Sequence, residues 1–121
     1  MPELIFGFGE DEKDVAGSTQ RLERWLKDTE NLVRADISKV RRPPEAGRQG
    51  FIDEAVRVYA EVGPVLAAAL TAYVRWLSDE VKSRKVSVKV TCPNGVEICA
   101  VAASQADVPK VRDRILRDCA G

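Results

Sequence analysis

Cys99 is the residue whose type and setting come nearest to reaction chemistry in this sequence. In the β-hairpin predicted around residues 93–95 it faces outward beside Lys89, and a neighbouring cation favours the nucleophilic thiolate form of a cysteine. The chain contains no histidine, so the usual base of a Ser-His or Cys-His nucleophile and the commonest metal ligand are both missing. We therefore interpret Cys99 as chemically inert. A small enzyme that acts through Cys99, or through Arg41 and Arg42, is kept as one alternative.

The other candidate chemical sites each lack an essential part. Cys92, Cys99 and Cys119 have no metal-ligand spacing, and their odd number predicts no disulfide framework, so we expect reduced thiols in a cytoplasmic protein. Gly7-Phe8-Gly9 follows a predicted strand, as a phosphate-binding loop would, but a third glycine is missing and Glu10-Asp11-Glu12 would repel phosphate. We interpret that acidic run as a solvated loop and not as a metal site. The sequence thus predicts no catalytic residue, no cofactor and no metal.

Composition describes an ordinary globular protein that we expect to form a single α+β domain over residues 1–121. Hydrophobic residues make up 45% and charged residues 31% of the chain, and 19 basic residues balance 19 acidic ones. This balance argues against nucleic acid as a partner, because a nucleic-acid grip needs a basic excess. The acidic run near the N-terminus does not fit a secretory signal. The uncharged run 62–74 is shorter than the roughly 20 residues that span a membrane.

Periodicity predicts a two-layer α+β sandwich with the order β-α-β-α-α-β-β-α, a four-stranded mixed sheet and helices mainly on one face. The first strand, helix and second strand predict a parallel strand pair joined by a right-handed crossover. Gly63-Pro64 predicts a break between two consecutive helices. The predicted elements are a strand over 3–8, a helix over 15–28 capped by Asp14, a strand over 33–38, a flexible loop over 39–50, helices over 51–62 and 64–84, a hairpin, and a last helix capped by Asp107.

The hairpin in the C-terminal half admits two turns. With Asn94-Gly95 as a two-residue loop, polar and apolar residues mix on both faces. With Pro93-Asn94-Gly95 as a three-residue loop, Cys92, Val90 and Val88 pair with Val96, Ile98 and Ala100 on one apolar face. We prefer the second register, because burial of one face selects register and Gly95 then takes the left-handed bulge position.

The middle helix carries two apolar lines, although one line suffices to dock a helix on its own core. We predict that the second line contacts a protein partner, either a second copy or another protein, with Trp76 as its anchor. The alternative is that the first and last helices cover both lines. Trp25 is interpreted as a core residue. The first line consists of Leu66, Leu70, Tyr73 and Leu77. The second line, which is the predicted partner interface, consists of Val65, Ala69, Ala72 and Trp76.

Three segments carry a family resemblance: RLERWLKDTENLVRADI, LAAALTAYVRWLSDEVKSRKVSVKVTCPNG and VEICAVAAS. Their order, with Trp25-Leu26, Trp76-Leu77 and the turn Pro93-Asn94-Gly95 at matching positions, resembles the effector-associated constant component family of bacterial conflict systems. The resemblance covers most of the chain outside the loop 39–50.

The resemblance implies a small non-enzymatic adaptor in a bacterial defence system. Its partner would be an effector protein, such as a caspase-like or trypsin-like peptidase, with a homo-oligomer as a further possibility. The family contributes no catalytic residue, which agrees with the missing histidine. The alternative is a ligand-sensing or oligomerising α+β regulatory module, which would require a pocket at the helix bend.

Overall fold

The described elements follow the order β-α-β-β-α-β-β-α, and the strands form one sheet. The structure is a computed structural model that describes residues 3–9, 15–29, 32, 35–42, 53–60 and 63–119. Its elements are β1 Glu3–Phe8, α1 Val15–Lys27, β2 Asp36–Arg42, β3 Asp53–Tyr59, α2 Gly63–Glu80, β4 Val86–Thr91, β5 Glu97–Ala102 and α3 Val108–Cys119, with a 3-10 turn at Gln105–Asp107 before α3.

Within the described residues the sheet has five strands in the order β2-β3-β1-β4-β5, and each of its four strand pairs is antiparallel. The α+β class is confirmed, but the predicted four-stranded mixed sheet is wrong. The predicted parallel pair of first and second strands is also wrong, because β3 lies between β1 and β2 and pairs with both. One face is apolar along a row that crosses the sheet: Val56, Phe6, Val90 and Ile98.

The segment predicted as a helix over 51–62 contains β3 instead. Its apolar residues fit a helical repeat, but Val56 and Val58 also alternate with Arg57 and Tyr59, and a short apolar run fits both periods. In the sheet Val56 and Val58 are fully buried, while Arg57 on the opposite face forms an ion pair with Glu3 at 3.0 Å. Backbone partners on both sides, from β1 and β2, therefore decide the conformation. The predicted loop is shortened too, since residues 39–42 belong to β2, and its remainder lies outside the described residues.

Aromatic residues join α2 to the apolar face of the sheet. The Tyr73 ring stacks on Phe6 with centroids 4.1 Å apart, and Trp76 meets Phe8 edge-on at 6.0 Å. The Tyr73 hydroxyl has no hydrogen-bond partner among the described residues, and burial raises the pKa of Tyr73 above its usual range. These contacts fix one side of α2 against β1.

A charged cluster joins α1 to the end of α2. Glu80 accepts from Arg21 at 2.9 Å and from Arg84 at 3.2 Å, and Arg84 also donates to the buried Ser18 hydroxyl at 2.8 Å. Leu22 and Leu26 of α1 are fully buried in the same core as the sheet residues. The two helices therefore lie side by side in a fixed register.

The hairpin between β4 and β5 has the predicted register. Val90 pairs with Ile98, and the Cys92 backbone N–H donates to the Val96 carbonyl at 2.8 Å. Gly95 has a φ of +89°, a conformation that costs little only for glycine. The preferred three-residue loop is thus confirmed.

The last helix begins after a capped turn. The Asp107 carboxylate accepts hydrogen bonds from the backbone N–H groups of Ala103 and Ser104, and the bond from Ala103 lowers the pKa of Asp107. The prediction that Asp107 caps the last helix is wrong, because Ser104 is the N-cap of the 3-10 turn and the Asp107 carboxylate reaches back to the start of that turn. The stripe of α3 that faces the core is buried and consists of Val108, Val111 and Ile115.

Candidate functional site

Three of the four predicted interface residues lie inside the chain. Ala69, Ala72 and Trp76 are buried, and Val65 is half-buried. Trp76 packs on Phe8 of the sheet, the Trp25 side chain of α1 donates to the Ala72 carbonyl, and both α1 and α3 contact α2. Their interface role stays a prediction. The exposed side of α2 carries polar residues, among them Thr71 and Arg75.

Trp25 of α1, not Trp76, is the tryptophan at the surface. Its side chain is 38% exposed, whereas that of Trp76 is 3% exposed. The Trp25 indole Nε1 donates to the Ala72 carbonyl of α2 at 3.0 Å. Because its only polar atom already has a partner in the protein, the exposed ring is held in place and presents an apolar surface.

A pocket of about 190 Å³ opens beside this ring, between α1 and α2. It forms because Ala68 and Ala72, one helical turn apart, have no side-chain atoms beyond Cβ with which to fill the space. We call this space the Trp25–Arg75 pocket. Its lining consists of Trp25, Thr29, Ala68, Thr71, Ala72 and Arg75.

The polar groups of the pocket differ in whether they can still donate a hydrogen bond to a ligand. The Thr29 hydroxyl donates to the Trp25 carbonyl at 2.9 Å, and the Thr71 hydroxyl donates to the Ala67 carbonyl at 3.1 Å. Both hydroxyl protons are therefore used within their own chain segments. Arg75 is exposed and has neither a hydrogen bond nor an ion pair with any other described residue. The pocket thus combines an ordered aromatic ring with an available guanidinium group.

Cys99 has the position that the hairpin register predicts. It is exposed on β5 and pairs across the strands with Lys89, as the sequence predicts. The Lys89 ammonium group, however, forms an ion pair with Glu97 at 3.6 Å, and the Cys99 carbonyl accepts a hydrogen bond from Arg114. No histidine exists in the chain to act as a base. The thiol therefore lies at the surface, on a strand whose neighbouring cation is engaged by a carboxylate.

Cys92 and Cys119 form a disulfide, contrary to the expectation of three reduced thiols. Cys92 directly follows β4 and Cys119 ends α3, and packing brings their Cα atoms to 5.2 Å, within the usual range for a bridge. The number and spacing of the cysteines did not predict this pair. A single disulfide requires only that the fold bring two cysteines close together. The bridge and a hydrogen bond from Asn94 to the Asp118 carbonyl tie the hairpin to α3.

We expect removal of this bridge to lower the free energy of unfolding by about 3–4 kcal/mol, because it closes a loop with a sequence separation of 27 residues. Denaturant unfolding of the Cys92→Ala/Cys119→Ala double variant and of the unchanged chain measures this difference in the free energy of unfolding. A reductant added to the unchanged chain should lower its stability in the same direction. Cys99→Ala is the matched control and should change stability by less than about 0.5 kcal/mol. Three titratable thiols in the non-reduced, unfolded protein would contradict the bridge.

Metal and membrane sites receive no support within the described ranges. No group of three or more potential metal ligands occurs there, and the acidic run Glu10-Asp11-Glu12 lies outside them. Gly7 lies within β1, where a Cβ would stand 3.3 Å from the Lys89 carbonyl, so close strand packing accounts for this glycine. The described helices are each too short or too polar to cross a bilayer. A cytoplasmic location stays a prediction.

Sequence reasoning missed Trp25 as a surface residue. The pair Leu22 and Leu26 marks the buried stripe of α1, and Trp25 lies beside that stripe, which fits both a core and a groove position. The alanines of α2 were a usable signal, since small residues at positions 68 and 72 indicate a close approach by a large side chain. Which helix supplies that side chain depends on tertiary packing.

The comparisons with known proteins give one match. A family model described as Effector Associated Constant Component 1 matches residues 10–119 of the chain. This match confirms the resemblance carried by the two Trp-Leu helix segments and the hairpin turn, and it includes the Trp25–Arg75 pocket. No curated protein and no solved structure matches the chain.

Proposed function

Because this chain belongs to the Effector Associated Constant Component 1 family, we propose that it is a non-catalytic component that binds an effector protein through the Trp25–Arg75 pocket. The effector would be a caspase-like or trypsin-like peptidase of a bacterial conflict system, and this chain would couple it to the other components. The single observation that carries the proposal is the exposed, hydrogen-bonded Trp25 ring beside a pocket and Arg75, which has no partner among the described residues.

The residue types of the pocket support a protein partner. Tryptophan and arginine are enriched among the residues that dominate binding energy at protein interfaces. A volume of about 190 Å³ lies below the roughly 300–1,000 Å³ that is typical of small-molecule sites. The size therefore favours a pocket that binds one side chain of a protein partner over a pocket that senses a small ligand. A rise in melting temperature on addition of a small ligand would support the ligand-sensing alternative.

The test is binding of the purified chain to the effector encoded beside it, measured by calorimetry. We expect Trp25→Ala to weaken binding by more than about 2 kcal/mol, or about 30-fold, because the anchor ring is lost. Leu116→Ala is the matched control, since Leu116 is 50% exposed on α3, away from the pocket. Its affinity should stay within about twofold of the unchanged chain.

Two outcomes would contradict the proposal. If the unchanged chain forms no complex with the effector, the coupling function is wrong. If Cys99→Ser abolishes signalling while melting and effector binding stay unchanged, the chain has a chemical role and is not a passive component. Size-exclusion chromatography of the same samples shows whether a homo-oligomer forms.

A further inference from the structure

We infer that the Trp25–Arg75 pocket recognises an acidic segment of the effector, with one aliphatic or aromatic side chain in the pocket and a neighbouring carboxylate on Arg75. This inference rests on the proposed function and adds the chemistry of the segment that is bound. Size, charge and rigidity of the pocket each contribute to it.

The size of the pocket fits one side chain. An apolar cavity of about 150 Å³ is large enough for a benzene molecule, and this pocket measures about 190 Å³. The Trp25 ring and the methyl groups of Ala68 and Ala72 form the apolar part of its wall, and Thr29, Thr71 and Arg75 form the polar part. The volume therefore suits one branched aliphatic or aromatic side chain that packs on the Trp25 ring, with the peptide backbone outside the pocket.

The charge at the rim selects the neighbouring residue. Arg75 has no acidic partner among the described residues. The acidic residues that follow it on α2 are already paired, since Glu80 binds Arg21 and Arg84, and Asp79 lies 3.8 Å from Lys82. A guanidinium group binds a carboxylate through two parallel hydrogen bonds. A carboxylate beside the docked side chain therefore satisfies the one charge that the pocket leaves open.

The pocket is ordered before binding. The Trp25 indole N–H donates to the Ala72 carbonyl. On α1, one helical turn before Trp25, Arg21 pairs with Glu80 and holds α1 against α2. Both threonine hydroxyl protons are donated to carbonyls nearby in their own chain segments. Since few groups must be rearranged, binding loses little entropy, and polar selectivity depends mainly on Arg75.

Two libraries of terminally blocked peptides test the inference. In one, an aliphatic or aromatic residue is flanked by glutamates, and in the other the same residue is flanked by glutamines. The readout is the indole N–H signal of Trp25 in nitrogen-15 NMR spectra, with the buried Trp76 indole as the internal reference. We expect the glutamate library to shift the Trp25 signal with at least about tenfold higher affinity, and added salt to reduce this difference.

Variants of the full chain separate the charge from the fold. Arg75→Gln should lower the affinity for the glutamate library to that for the glutamine library, and Arg75→Lys should restore part of the difference. Arg112→Gln is the matched control, because Arg112 lies on α3 and pairs with Asp113 at 3.1 Å. This control should bind both libraries as the unchanged chain does.

Equal binding of both libraries, or no effect of Arg75→Gln, would overturn the acidic specificity. A shift of the Trp76 signal without one of Trp25 would overturn the location. These failures differ from failure of the proposed function. If Trp25→Ala weakens effector binding and Arg75→Gln does not, the function stands and the acidic inference is wrong. If no effector complex forms at all, the function itself is wrong.

Discussion

Trp76→Ala is expected to lower the free energy of unfolding by about 3–5 kcal/mol, which is the usual range for deletion of a buried tryptophan side chain. Trp76 is 3% exposed and contacts the rings of Phe8 and Tyr73 in the core. Its removal leaves a cavity that the surrounding rings can only partly fill. Chemical unfolding followed by circular dichroism measures the change.

Trp25→Ala is the matched control, because it deletes the same side chain at a position that is 38% exposed. We expect this variant to lose less folding stability and more effector affinity than Trp76→Ala. The opposite pattern is decisive. If Trp76→Ala weakens association by more than about 2 kcal/mol and leaves unfolding unchanged, the interface predicted from the sequence at Val65, Ala69, Ala72 and Trp76 is correct.

Ile98→Ala is expected to cost about 2–5 kcal/mol of folding stability, as large-to-small changes in a core do. Ile98 is 1% exposed and pairs with Val90 on the apolar face of the sheet. Its neighbour Glu97 points to the other face, where it is exposed and binds Lys89 at 3.6 Å. Equilibrium unfolding in urea gives both values.

Glu97→Ala supplies the comparison for Ile98→Ala. An exposed ion pair contributes roughly 0–1 kcal/mol, so this variant should be nearly as stable as the unchanged chain. A larger loss for Glu97→Ala than for Ile98→Ala would show that the hairpin is shifted by one residue. Such a shift would turn the whole strand over and bury the opposite set of side chains.

Patterns among neighbouring residues were sufficient to predict several of the helices and strands. The turn chemistry of Pro93 and Gly95 and the strict alternation of β4 fixed the hairpin register without reference to the rest of the fold. The start of α2 at Gly63 and Pro64 and the apolar stripe of α3 were likewise predictable, because proline position and helical repeat are properties of neighbouring residues. The absence of histidine also limited the chemistry from the outset.

The sequence by itself therefore determined the α+β class, the hairpin, the two later helices and the family to which the chain belongs. Tertiary structure alone decided that residues 53–59 form a strand, since their pattern fits two conformations and the hydrogen-bond partners come from β1 and β2. It also decided that Cys92 meets Cys119 and that Trp25, and not Trp76, reaches the surface. Each of these outcomes depends on which residues distant in sequence become neighbours, and a local pattern contains no information about that.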